Sequence, residues 1–297
     1  MATSVQSPDT STKPTPARKS KSSAWPTVRT YLGVAIVVVW GLLPFYWMVV
    51  TAFRDVDYTY SKNPLPSNIT FDNFKAAFET DAGNHFARSL GNSLIIGAVT
   101  TVFAMIVGVF AAYALARLQF RGKYVVLGII LGASMFPGVA LVTPLFQLFT
   151  DIGWIDTYQA LIIPNISFVL PLTIYVLTAF FRDMPWELEE SARIDGCTKG
   201  QAFRMVILPL AAPGLFTTAI LAFIAAWNEY LLASLLSKDN ARTVTVEIAR
   251  FQGALPRVEP YTTVMAAGTI VTVPLIILVL ILQKRIVAGL TAGGVKG

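Results

Sequence analysis

The residues with chemistry to offer are few, and they concentrate in two places. Residues 184–210 hold Glu187, Glu189, Glu190, Arg193 and Asp195 in close succession, and Trp227-Asn228-Glu229-Tyr230 sets an amide and a carboxylate between two aromatic rings. The second run can donate and accept hydrogen bonds while presenting stacking faces. The chain has one histidine, His85, and one cysteine, Cys197. A Ser-His-Asp relay and a multi-histidine metal centre are therefore poor readings, and a lone thiol closes no intramolecular disulfide. Both residues read as structural. A G-x-x-x-x-G-K-[ST] phosphate loop is missing, because Gly122-Lys123 is followed by Tyr124 and lacks the upstream glycine. No metal and no cofactor is expected on this chain.

The elements that carry these residues are apolar. Of 297 residues, 55% are hydrophobic and 13% charged, whereas a soluble domain carries roughly 25% charged residues. Six apolar segments stand out, at residues 31–53, 93–116, 124–149, 158–181, 210–232 and 262–282. At 1.5 Å per residue each is long enough for a hydrocarbon core of about 30 Å. The pattern predicts an all-α membrane protein with six transmembrane helices. Residues 1–30 read as a disordered basic tail, residues 31–283 as the membrane domain, and residues 284–297 as a C-terminal tail too rich in glycine for a helix.

Orientation follows from charge. The net charge is +6, and with the N-terminus inside, the inner segments carry 15 Lys and Arg and the outer ones 8. That bias predicts N-in and C-in, and such scattered cations make no nucleic-acid face. Glu229 falls inside the fifth segment, and an acid in a span is a functional candidate by default because its burial is costly. Prolines 44, 137, 144, 164, 171 and 274 interrupt spans and predict kinks. The Gly128-Ile-Ile-Leu-Gly132 step suits close helix contact, within the chain or between subunits. A short amphipathic helix is expected from Phe71 to Phe78.

Residues 182–209 form the one long inner loop, with a helix-turn-helix grammar. Asp183 and Pro185 suit a helix start with three glutamates near its first turns, and Gly196 suits a left-handed cap. Thr198 with Gln201 predicts a capping box opening a second helix that stops before Pro209. Residues Glu190-Ser191-Ala192, Gly196, Val206, Leu208 and Pro209 resemble the EAA loop of binding-protein-dependent ABC import permeases. Ser191 stands for the second-position Ala and Val206 for Ile. Asn92-Ser-Leu94, Ala112-Tyr-Ala114, Trp227-Asn-Glu-Tyr230 and the tail from Gly289 resemble the carbohydrate-importing subgroup, of the maltose-permease G-subunit type, and within it most closely mycobacterial trehalose importers.

The resemblance implies a type I ABC importer permease bundle. It also implies four kinds of partner: a second homologous permease subunit, two copies of a cytoplasmic ATPase that holds ATP and Mg, an extracytoplasmic sugar-binding lipoprotein, and the sugar itself in a lipid membrane. Glu190, Ser191, Ala192, Asp195, Gly196, Phe203, Leu208 and Pro209 are then the ATPase-coupling residues, and Glu190 could instead only pair with Arg193 at helical spacing. Trp227, Asn228, Glu229, Tyr230 and Asn165 become candidates for the sugar path. Residues 236–260, with Lys238, Asp239, Arg242, Glu247, Arg250, Arg257 and Glu259, would meet the binding protein. The alternatives are a stand-alone secondary transporter or channel, for which only Glu229 offers an intramembrane charge, and an intramembrane enzyme.

Overall fold

The computed structural model describes residues 25–66, 68–79, 83–251 and 260–294. The tail at residues 1–24 lies outside the described residues, as do Arg257, Glu259 and residues 295–297. By its internal contacts the chain divides into Met1–Tyr46 and Trp47–Gly297. The first unit contains most of helix α1 (Trp25–Ala52). That helix begins at Trp25, earlier than expected, with Pro26 in the first turn where a missing N–H costs nothing.

In the second unit, α2 (Asp72–Ala76) is the expected short helix, only five residues long. It is followed by α3 (Phe86–Arg117), α4 (Lys123–Ser134), α5 (Gly138–Asp151) and α6 (Tyr158–Asp183). Two short helices, α7 (Glu187–Ile194) and α8 (Lys199–Ala202), lead through a π turn (Phe203–Ile207) into α9 (Leu208–Leu210). The chain ends with α10 (Ala212–Trp227), α11 (Leu231–Leu236), α12 (Val244–Ala249) and α13 (Tyr261–Gly294). Among the described residues no sheet forms, and the one β-bridge joins Arg54 to Ile69.

Among the described residues four helices are by themselves long and apolar enough to cross a membrane, and the number is up to six if each of two bent pairs is one span. The third expected span is one of these pairs: α4 and α5 meet at 82° instead of forming one kinked rod. Pro137 is the reason, since it has extended backbone with ψ 114° and a proline disfavours helix at the residue before it. At 12 and 14 residues the halves are each about 20 Å long, too short to cross alone. The fifth segment also departs from expectation. Its helix α10 stops at Trp227 after 16 residues, and a break at residues 228–230 separates it from α11.

The C-terminal segment was expected to be non-helical, yet α13 runs to Gly294. Glycine costs about 1 kcal/mol per position in a helix, but extending a long helix needs no new nucleus. Leu290, Thr291 and Ala292 carry the helix between the glycines.

The core is α3 packed on α6 and α10, with α10 also against α13. Between helices surrounded by lipid, close fit replaces the hydrophobic effect as the main attraction. Gly108 on α3 lies so near α6 that a Cβ there would stand 2.5 Å from Thr173 Cγ2. Gly214 on α10 approaches Phe180 equally closely. By contrast, Cβ atoms at Gly128 or Gly132 would meet nothing within 4 Å, so that small-residue step makes no close contact among the described residues.

Candidate functional site

The acidic stretch folds as a projecting helix because its ends are specified locally. Met184 before Pro185 is extended, with ψ 138°, which stops α6. Glu187, Glu189 and Glu190 then occupy the first turn of α7, where the exposed N–H groups favour negative charge. At its other end Gly196 adopts φ +91°. Its N–H donates to the Arg193 carbonyl at 3.1 Å, and the Cys197 N–H reaches the Ala192 carbonyl at 3.0 Å, completing a Schellman turn. The expected capping box is present: Gln201 N–H donates to Thr198 Oγ1 at 3.3 Å and Thr198 N–H to Gln201 Oε1 at 2.8 Å.

The second helix does not stop before Pro209. In the π turn the Leu208 N–H donates to the Phe203 carbonyl, and the chain stays helical through Pro209 to Leu210. Widening the turn just ahead of the ring relieves the clash a proline makes with the preceding carbonyls.

The coupling candidates separate onto two faces. Glu190, Ser191, Asp195, Gly196 and Pro209 are exposed, whereas Ala192 and Phe203 are buried and Leu208 is half-buried. Phe203 packs against Tyr113 of α3 with ring centroids 4.5 Å apart and also against Phe181 of α6. Tyr113 Oη donates to Glu189 Oε1 at 3.0 Å. One turn further along α3, Arg117 donates to the Met184 carbonyl at 2.8 Å and lies over the Trp186 ring. Glu190 forms no ion pair with Arg193; the ion pairs among the described residues are Lys75–Asp72, Arg242–Asp239 and Arg242–Glu247.

The second site is a cavity of about 220 Å³ lined by Gly138, Asn165, Phe168, Val169, Glu229 and Leu232, among others. A hollow of about 60 Å³ beside it shares Phe168, Val169 and Ala225. Enclosed small-molecule sites usually measure about 300–1,000 Å³, so the cavity is smaller than such a site. The structure brings Asn165 and Glu229 to the same wall, from helices far apart in sequence. The Glu229 carboxylate accepts from the N–H groups of Leu232 at 2.7 Å and Ala233 at 3.0 Å, capping α11 where α10 has ended. The other three residues of the run point elsewhere. Trp227 is 2% exposed and stacks on Phe223, Asn228 donates back to the Ile224 carbonyl, and Tyr230 is exposed.

Residues 237–247, a loop and the first turn of α12, bind this site to the start of α3. Thr245 Oγ1 donates to the Glu229 carbonyl at 2.9 Å. Asn92 Nδ2 donates to the carbonyls of Asn240 and Arg242 and its oxygen accepts from Tyr158 Oη. Buried Glu247 accepts from the His85 N–H and from Arg242. Asp156, at φ 63°, accepts N–H donors from Lys238, Asp239, Asn240 and Ala241. Burial alone would raise its carboxyl, but those donors outweigh burial and hold it below the ordinary carboxylate range.

Sequence reasoning placed Tyr113 in a family-like motif but gave it no role, its partner lying 76 positions away, and missed the apolar lining residues, which carry no chemical signal. Gly138 could have been found, since it follows the proline that breaks the third span.

Comparison with known proteins adds a lineage to this geometry. Residues 104–291 match the family model described as binding-protein-dependent transport system inner membrane component. The chain is 49% identical to the trehalose transport system permease protein SugB of Mycobacterium tuberculosis, over 90% of this chain and 98% of that one. It is 42% identical to the trehalose/maltose transport system permease protein MalG of Thermococcus litoralis, over 90% and 95%. In fold it is similar, with a TM-score of 0.72 and 23% identity, to a chain of a bacterial ABC transporter that imports the acidic polysaccharide alginate, covering 91% of this chain and 99% of that one.

Proposed function

The chain belongs to the binding-protein-dependent transport system inner membrane components, multi-pass proteins that do no catalysis themselves, and on that footing we propose that it is the permease subunit of an ATP-driven trehalose importer. The observation that supports coupling best is the two-faced helix α7. Its exposed acids and Gly196 are free to seat in a partner, while Phe203 keys the same loop into the bundle. The exposed face suits two copies of a cytoplasmic ATPase, which bind ATP and Mg and close on them. Closure moves α7 as a rigid lever, and the bundle rocks between inward-open and outward-open states.

The substrate reading rests on the 49% identity to a trehalose permease. It agrees with a cavity lined by both Asn165 and Phe168, since a sugar needs hydrogen bonds at its edge and an apolar face for its ring. A second homologous permease supplies the opposite wall, and an extracytoplasmic binding protein delivers the sugar.

Purification of the tagged chain with its co-purifying subunits, followed by ATP hydrolysis with the binding protein and a panel of disaccharides, tests both parts. Stimulation by trehalose above maltose, sucrose and lactose is expected. Stimulation by another disaccharide alone would overturn the trehalose assignment, and sugar movement by this chain alone without ATP would overturn coupling.

A further inference from the structure

Adjacent acids on α7 have opposite surroundings. Glu190 is exposed, whereas Glu189 is 8% exposed and is, with Ala192, one of two buried residues of the helix. One Glu189 oxygen accepts from the Tyr113 hydroxyl at 3.0 Å, and the other, Oε2, is buried with no partner. A buried carboxylate with a single hydrogen bond is costly to misplace, because moving it off Tyr113 leaves it with none. Four residues along α3, Arg117 grips the residues just before α7 through the Met184 carbonyl at 2.8 Å and the Trp186 ring at 4.8 Å.

One contact is a pivot; two contacts one helical turn apart resist rotation. From this arrangement we infer that Glu189 and Tyr113 form the joint through which movement of α7 enters α3, with Arg117 as the second hold, while Glu190 is left to the ATPase. The inference deepens the importer reading above and rests on it. Glu189 and Tyr113 are positioning residues: they touch neither nucleotide nor sugar. The Phe203 ring, 4.5 Å from Tyr113, keeps the hydroxyl aimed.

The test uses the complete transporter in proteoliposomes, measuring sugar taken up per ATP hydrolysed. Tyr113→Phe removes only the hydroxyl. It should leave subunit co-purification and basal ATP hydrolysis unchanged and lower the uptake ratio about threefold to tenfold, the worth of one ordinary hydrogen bond. Glu189→Leu should do the same, Glu189→Gln, which keeps an acceptor oxygen, should retain most of the ratio, and the Tyr113→Phe/Glu189→Leu pair should be no worse than either alone. A ratio at the wild-type level in Tyr113→Phe, or losses that multiply in the pair, would overturn the joint while leaving the importer reading intact. A wild-type complex that moves no sugar at the expense of ATP overturns the importer reading and the joint with it.

Discussion

The two ends of α3 are held in different ways. At its start, residues 237–247 are sewn to α3 and to the entry of α6 by Asn92, Ser93, Tyr158, Asp156 and the bonds of Glu247 to His85 and Ser89. Most of those groups have several partners. At its end, α7 is held by one carboxylate, one guanidinium and a keyed aromatic ring, and presents an exposed acidic face. A network satisfied at many points gives a fixed platform, because each group constrains the others. A helix held at two points through side chains gives a lever. The position of Glu229 belongs to the platform, through Thr245.

That contrast can be broken first at the platform. Glu247→Ala removes the buried carboxylate that pairs with Arg242, leaving only the exposed Asp239, and should destabilise by about 3 kcal/mol, lowering the melting midpoint of the detergent-purified chain by about 5 °C. Asn92→Leu strips three hydrogen bonds from a buried position and should cost about 2 kcal/mol in the same melt. Asp156→Asn should cost less, with a pH signature. A carboxyl held below its ordinary value stabilises the fold above about pH 4, and that contribution is lost as the pH falls through its folded value. The melting gap between wild type and Asp156→Asn should therefore be widest at neutral pH and close below about pH 4. On the lever, Glu190→Gln should change stability least, by less than about 0.5 kcal/mol in the same melt, as an exposed site without partners does.

Local rules made α7 readable in the sequence. Its start, Schellman end and capping box depend on residues within a few positions of one another, so Pro185, Gly196, Thr198 and Gln201 sufficed. The four unbroken membrane helices were readable for the same reason, through hydropathy over a single stretch. What escaped depends on distance or on direction. Tyr113 on α3 meets Glu189 on α7 across 76 positions, and nothing near either residue announces the other. In Trp227-Asn228-Glu229-Tyr230 the residue types were visible, but the break after α10 sends only Glu229 to the cavity wall with Asn165. Pro137 was visible as a kink, whereas the size of the bend, 82°, was not.

Sugar uptake into proteoliposomes holding the assembled transporter, with and without ATP, for wild type and Glu190→Ala, tests the central claim most directly. The account predicts ATP-dependent uptake by wild type and loss of it in Glu190→Ala, with the melting midpoint unchanged. Uptake that persists at the wild-type rate in Glu190→Ala, or that proceeds without ATP, would contradict it.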